Sequence, residues 1–381
     1  NNVVIIEGET GCGKTTQVGQ FIIEEATEKN MPCSVVCTQP RRISAIGVAD
    51  RVSDERGEKI GGTVGYSVRQ ESKAGRDTHL LFCTTGILLR RLENDADLVG
   101  TTHVVVDEVH ERAVESDFLL LALRDLSRRR RDLKIVMMSA TMDKDLFGEY
   151  FGGAPGIVIP GRTFPVQDFF LEDALKVTKH VLNPSADWAI GGGKGKGKGK
   201  GTPASNNKDH ADARKLEDLS EVQWRYGKYG PQVMAALRSM DQDAVNYDLL
   251  VSLLNRGVLE ELAKSDYGNP EPDVCERPNG VLVFLSGAKE IETVQLALLS
   301  IPEFEQEPAR SWVLPLHGAL PPDDQKKVFC HPPEGVRKIV LATNVAETSI
   351  TIDDIGFVVD TCRMKEMRFD AVRRMSSLED T

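Results

Sequence analysis

The stretch VVIIEGETGCGKTTQ, residues 3–17, joins an apolar, β-branched run to a loop with three glycines. The run predicts a strand, and the apolar spacing from Thr16 to about Glu28 predicts an amphipathic helix after the loop. Between them Gly8, Gly13, Lys14 and Thr15 meet the spacing G-x-x-x-x-G-K-[ST]. Glycines let the backbone curl so that successive N–H groups point inward at phosphate oxygens, and the helix N-terminus adds the positive end of its dipole. Gly8, Glu9, Thr10, Gly11, Cys12, Gly13, Lys14, Thr15 and Thr16 therefore form a candidate cradle for a nucleoside triphosphate. Within it Lys14 reaches the β- and γ-phosphates, and Thr15 offers its hydroxyl to Mg²⁺. The plainer alternative is a glycine-rich turn before a helix. Cys12 reads as a small filler.

Composition sets the bounds. A chain of 381 residues has room for two domains of ordinary size, and 40% hydrophobic with 28% charged residues describes a soluble globular protein. No segment approaches the length of a membrane span, so the expectation is no membrane and a cytoplasmic location, with the nucleus as the alternative. The 7 cysteines form no C-x-x-C pair and are expected to be reduced core thiols. A formal net charge of −11 argues against a uniformly basic nucleic-acid binder, although groove-lining arginines can act locally on an acidic protein. The chain opens directly on the first strand without Met, which suggests a piece of a larger protein.

From residue 3 to about 170, β-branched runs alternate with helical stretches: SVVCTQ, THLLFCTT, THVVVDE, LKIVMMSAT and GIVIP. That alternation predicts a parallel sheet wound on both faces by helices, with ligands bound at the carboxyl ends of its strands. Residues 191–201, GGGKGKGKGKG, are low in complexity, and a disordered loop is expected over 191–208. Its lysines are expected to serve a solvated linker, with electrostatic contact to RNA as the alternative. VMAALRSM and NYDLLVSLLNRGVLEELA carry helical spacing, and from Gly280 the strand pattern returns in VLVFLSG, SWVLPLHG, KIVLATN and IGFVVDT. The expected organisation is a first α/β domain over 1–170, a linker and helical insert over 171–279, and a second, incomplete α/β domain over 280–381.

The run VVVDEVHER places Asp107 and Glu108 at the tip of an apolar strand. Beside a triphosphate cradle, Asp107 is the candidate Mg²⁺ ligand and Glu108 the candidate that orients or deprotonates the attacking water. A solvated turn is the bland reading of such a pair. A ring nitrogen of His110, next to Glu111, stands where it would sense the γ-phosphate.

In order along the chain, GETGCGKTTQ, TQPRRISA, TTGILLRRL, DEVHER, SAT, VFLSG and LATNVAETSITID resemble the motifs of the DEAH/RHA family of superfamily 2 RNA helicases. The resemblance covers nearly all of the chain apart from residues 172–279, and RYGKYGPQVMAAL is closest to the large multidomain cytoplasmic members. It implies a P-loop NTPase with two tandem RecA-like parallel-sheet domains, using ATP and Mg²⁺. Residue by residue it implies that Arg41, Arg42, Thr84, Thr85, Thr343 and Asn344 contact single-stranded RNA through its backbone, which positions a strand without reading its sequence. A pairing of Arg42 within the fold is the alternative. Ser139 and Thr141 would link hydrolysis to RNA movement. Arg51 and Phe329 would sandwich the base, Asp353 would hold the ribose, and Ser349 and Thr351 would line the cleft. Phe329 as a core residue is the alternative there.

The activity implied is an RNA helicase that couples ATP hydrolysis to 3′–5′ movement on single-stranded or tailed RNA, remodelling duplexes or ribonucleoprotein with or without an activator protein. An ATP-gated RNA clamp uses the same motifs. A P-loop metabolite kinase leaves SAT, TQPRR and the second sheet unexplained, whereas a DNA motor differs only at contacts to the sugar. The chain stops at MSSLEDT, ahead of the family's arginine-finger block, so it is expected to bind ATP and hydrolyse it poorly.

Overall fold

The computed structural model describes residues 2–140, 144–161, 166–181, 183, 186, 188–189, 219–241, 244–264, 279–347, 352–370 and 374–380. Thr141, Ser349, Thr351 and the expected disordered loop 191–208 lie outside the described residues. Two compact units account for the chain. The first takes in Asn1–Pro165, Gly318–Cys330 and Val345–Asp353; the second takes in Val166–His317, His331–Asn344 and Asp354–Thr381.

In the first unit, Val3–Gly8 (β1) leads into Lys14–Glu28 (α1), then Val35–Gln39 (β2), Arg42–Glu55 (α2), Val64–Val68 (β3), Glu71–Lys73 (β4) and Leu80–Thr84 (β5). Thr85–Asn94 (α3), His103–Val106 (β6), Val114–Arg129 (α4), Lys134–Ser139 (β7), Lys144–Tyr150 (α5) and Gly156–Ile159 (β8) follow. The strands form one sheet in the order β4-β3-β5-β2-β6-β7-β1-β8. Neighbours are parallel throughout except β4, which closes an antiparallel hairpin on β3. Strands buried on both faces need apolar side chains at successive positions, and Val35–Gln39 is buried at all five.

Side-chain alternation divides the core in two. Val3, Ile5, Val104, Val106, Ile135 and Met137 face Leu119, Leu123 and Leu126 of α4. Ile6, Val35, Cys37, Val105 and Met138 face Ile23 of α1 and Ala45, Ile46, Ala49 and Val52 of α2. A period-two strand meeting a period-3.6 helix on each face produces this doubly wound arrangement.

The second unit begins with helices. Leu171–Thr178 (α6), Leu219–Tyr226 (α7), Pro231–Ser239 (α8), Tyr247–Leu253 (α9) and Arg256–Lys264 (α10) precede Gly280–Phe284 (β9) and Ala288–Leu299 (α11). Pro302–Glu305 (α12) and Val313–Leu316 (β10) come next; Pro322–Lys326 (α13) is contributed to the first unit. Ile339–Ala342 (β11), Ile355–Asp360 (β12), Lys365–Asp370 (β13) and Met375–Asp380 (β14) complete the second unit. Its sheet is parallel, in the order β10-β11-β9-β12, with β13 and β14 forming a separate antiparallel hairpin. The insert helices share this core: Leu250, Leu254 and Leu259 pack with Val281, Val283, Ile339 and Leu341 of the sheet. A smaller cluster of Leu175, Val233, Ala236, Met240 and Leu249 holds α6, α8 and α9 together.

One expectation needs correction. Among the described cysteines only Cys37 and Cys83 are buried; Cys12 and Cys33 are partly covered, and Cys330 and Cys362 are exposed. The exposed pair fall in a loop and just past a strand end, where no layer covers the chain.

Candidate active site

Parallel pairing brings the carboxyl ends of β6, β7 and β1 to one edge of the sheet as consecutive neighbours. The loop after β1 is the glycine-rich one, β6 runs into Asp107 and Glu108, and β7 ends on Ser139. The next strands outward, β2 and β5, deliver Gln39, Arg41, Arg42, Thr84 and Thr85 to the same edge.

The loop uses its glycines for two reasons. Gly11 and Gly13 have φ of 81° and 87°, a region costly for any residue with a Cβ. At Gly8 the problem is space, since a Cβ would stand 2.9 Å from Cys12 Sγ and 3.1 Å from the Ile159 carbonyl. Lys14 opens α1 and is buried, its Nζ donating to the carbonyls of Gly8 (2.5 Å) and Glu9 (3.0 Å). Thr16 Oγ1 donates to the Gly13 carbonyl at 3.2 Å. Thr10 is exposed at the rim.

Thr15 and Asp107, 92 residues apart, meet: Thr15 Oγ1 donates to Asp107 Oδ2 at 2.7 Å. Gln39 Nε2 donates to the same oxygen at 2.7 Å, and the Glu108 N–H donates to Oδ1 at 2.9 Å. Burial pushes the Asp107 carboxyl above its ordinary value, opposed by these hydrogen bonds and by the charge of Lys14. A hydroxyl and a desolvated carboxylate are hard oxygen donors of the kind Mg²⁺ takes, so this pair fits that ion. Among the described residues no group of three or more His, Cys, Asp and Glu surrounds a metal position, so phosphate and water oxygens would fill the rest of its shell.

Glu108 holds φ of 53°, uncommon for a residue with a side chain, where the chain turns from β6 into the short helical turn Val109–Glu111. Burial, and next the charge of Asp107, push that carboxyl up to about 7. A carboxyl poised near neutrality suits general-base work. Its Oε2 lies 3.4 Å from His110 Nδ1, and the same nitrogen accepts a long hydrogen bond from the Ala140 N–H at 3.4 Å. His110 thus bridges the acidic turn to the segment following Ser139, itself fully buried.

Arg41 and Arg42 open α2, the first partly covered and the second exposed, and line a cleft of about 200 Å³ with Ile46, Leu320 and Gln325. The charge of Arg41 also favours the ionised Glu108 carboxylate, as the least of the named influences on it. Thr84 precedes α3 and Thr85 begins it, Thr85 being buried. Thr343 and Asn344 lie at the carboxyl end of β11 in the second unit, the Thr343 N–H donating to the Leu316 carbonyl at 3.1 Å.

Residues expected to hold base and ribose gather in the first unit although some 300 positions separate them. Arg51 and Gly47 lie one turn apart on α2, and a Cβ at Gly47 would stand 3.3 Å from Phe329 Cζ, so the ring lies against the helix. Lys326, three residues before Phe329, pairs with Asp50 at 2.8 Å. Arg51 Nε bonds Glu55 Oε1 at 2.8 Å, while Gln17 and Gln20 hold the other Glu55 oxygen at 3.0 and 2.9 Å. The Glu55 hydrogen bond holds the Arg51 guanidinium pKa up, and the charge of exposed Asp353 adds to it.

Sequence reasoning does not single out Gln39, Gly47 or Glu55. The Gln of TQPRR itself, closing the strand before the two arginines, is the available signal for the first; nothing local marks the other two.

Residues 1–147 match the DEAD/DEAH box helicase family, and residues 273–375 match the helicase conserved C-terminal domain. DHX57 of Mus musculus is 43% identical over 406 residues, covering 100% of this chain and 28% of its own length. The DExH-box ATP-dependent RNA helicase DExH3 of Arabidopsis thaliana is 43% identical, covering 99% of this chain and 30% of its own length. The ATP-dependent DNA/RNA helicase DHX36 of Mus musculus is 40% identical, with 99% and 36% covered. The chain thus spans 28–36% of the length of these relatives.

Proposed function

This chain belongs to the DEAD/DEAH box helicases, in the DEAH/RHA branch, and on that premise we propose that it serves an ATP-driven motor that moves 3′ to 5′ on single-stranded RNA and separates duplexes or remodels ribonucleoprotein. The observation that carries the reading is the junction of Thr15 and Asp107 at 2.7 Å, with Glu108 beside it at the same sheet edge. Bound ATP with Mg²⁺ supplies the phosphoryl group whose transfer to water releases the energy.

The chain's own residues divide the remaining work. Lys14 and the loop N–H groups hold the triphosphate, Thr15 and Asp107 hold the cation, and Glu108 takes the proton of the attacking water. His110, between Glu108 and Ala140, passes the state of that site toward Ser139. Arg41, Arg42, Thr84 and Thr85 in the first unit, and Thr343 and Asn344 in the second, grip the strand by its backbone; alternation of the two grips advances it. The names of DExH3 and DHX36 supply RNA as the substrate, and the DNA/RNA label of DHX36 keeps DNA within the test.

Strand displacement tests the reading. ATP-dependent separation of an RNA duplex with a 3′ tail, and none with a 5′ tail, is the result expected. ATP turnover without separation of either duplex contradicts it.

A further inference from the structure

Outside the motor motifs, the insert of the second unit carries the run WRYGKYG, residues 224–230, where aromatic and basic side chains interleave. Trp224 projects from α7 with 84% of its surface exposed, the highest value among the exposed large hydrophobic residues that are described. Arg225 and Lys228 are exposed beside it, and Tyr226 and Tyr229 are partly covered. Lys228 Nζ lies 4.9 Å from the Tyr229 ring centre and Lys176 Nζ, from α6, lies 6.0 Å from it. Tyr229 packs against the Leu175–Val233 cluster, so this end of the run is fixed to the fold.

A solvent-facing indole gains nothing from the fold it stands on, and a large apolar ring costs hydration where it is most exposed. Single-stranded nucleic acid relieves that cost in two ways at once: every base offers a face to stack on the ring, and its phosphates meet the neighbouring cations. The local charge has the matching sign in an otherwise acidic protein of net −11. Residues 222–240 carry Arg225, Lys228 and Arg238 and no acid, whereas Lys176 on α6 shares its helix with Glu172 and Asp173. Burial first, then the charges of Asp173 and Glu172, raise the Tyr229 pKa against the opposing effect of Lys228.

We propose that the Trp224–Tyr229 face of the insert is a second, sequence-tolerant binding surface for single-stranded nucleic acid, Trp224 stacking on a base while Arg225, Lys228 and Lys176 hold the flanking phosphates. It goes beyond the motor reading, because none of its residues belongs to the motor motifs.

Tryptophan fluorescence reads this surface directly. Oligouridylate added to the full-length protein is expected to quench its tryptophan emission, and the quenching is expected to be clearly smaller in the Trp224→Phe protein. Trp224→Ala is expected to weaken oligouridylate binding about 5- to 100-fold, on the scale of one base stack, with Trp224→Tyr restoring most of it. Arg225→Ala with Lys228→Ala is expected to flatten the salt dependence of binding by about 0.7 in log–log slope for each phosphate that the pair no longer neutralises. Basal ATP hydrolysis without RNA is expected to stay unchanged in all of these variants. Equal quenching in Trp224→Phe, or unchanged affinity in Trp224→Ala, overturns the proposal and assigns the face to a protein partner. The Trp224 share of the quenching is local to the insert and does not pass through the motor site, so either idea can fail while the other stands.

Discussion

Glu108 and Asp107 are adjacent in the chain and identical in chemistry, yet their surroundings separate their roles. Asp107 receives three hydrogen bonds and is positioned to hold a cation, whereas Glu108, at a positive φ, lies beside His110. Replacing Glu108 by Gln keeps the shape and removes the base, so hydrolysis should fall by about 10²- to 10⁴-fold with nucleotide affinity nearly unchanged. Single-turnover hydrolysis beside equilibrium nucleotide binding checks this, and equal loss of both would reassign Glu108 to binding. Gln39 makes a subtler case. Its amide orients the Asp107 oxygen that Thr15 also uses, so Gln39→Leu should raise the Mg²⁺ concentration needed for half-maximal hydrolysis by about 10- to 100-fold. An unchanged Mg²⁺ titration would show that Thr15 and the Glu108 N–H suffice. The acids and the loop are legible in the sequence because their spacing follows from one local strand–loop geometry. Gln39 is not, because its role depends on which strand lies beside β2, and that is a long-range fact.

Elements set the next limits. Helix α2 is amphipathic toward the sheet, but its opposite side carries Gly47, Asp50 and Arg51, which receive the Lys326–Phe329 segment. Gly47→Leu should displace the Phe329 ring and raise the nucleotide Kd by about 5- to 30-fold, in proportion to one aromatic or cation–π contact, while the fold persists. A Kd unchanged within about twofold would remove Phe329 from the base site. At the start of β6, His103 is half-buried with Nδ1 2.9 Å from Thr102 Oγ1, and burial, with Lys134 nearby, lowers its pKa from the ordinary 6.5. A base whose folded pKa is depressed leaves the unfolded chain binding more protons, so stability is lost as pH falls from about 6.5 toward the lowered folded value. Urea midpoints between neutral pH and about pH 5 should therefore drop less in His103→Gln than in the wild type; equal slopes would rule His103 out. The parallel strands are legible as β-branched runs at regular intervals. Strands β4, β13 and β14 are not, since their residues mix charge with apolar side chains and carry no clean period.

At the scale of the molecule, the insert is part of a core. Leu254, fully buried, joins the helices to the second sheet, so Leu254→Ala should cost about 2–5 kcal/mol in the second unit. All three tryptophans, Trp188, Trp224 and Trp312, lie in that unit, so fluorescence-detected unfolding should shift to lower denaturant; an unchanged midpoint would mean the insert is only appended. Helical spacing announces these helices, but their packing partner cannot be known from a periodicity that says only that one face must be covered. The assignment of Gly318–Cys330 and Val345–Asp353 to the first unit is likewise beyond the sequence, because it rests on packing between segments far apart along the chain. The sheet edge bearing Lys14, Asp107 and Glu108 is proposed as an ATP-hydrolysing site driven by RNA. Steady-state ATP hydrolysis by the full-length protein, with and without single-stranded RNA and with Glu108→Gln as the blank, tests it most directly. RNA should raise turnover in the wild type and have no effect in the blank; turnover indifferent to RNA, with nucleotide binding intact, would contradict it.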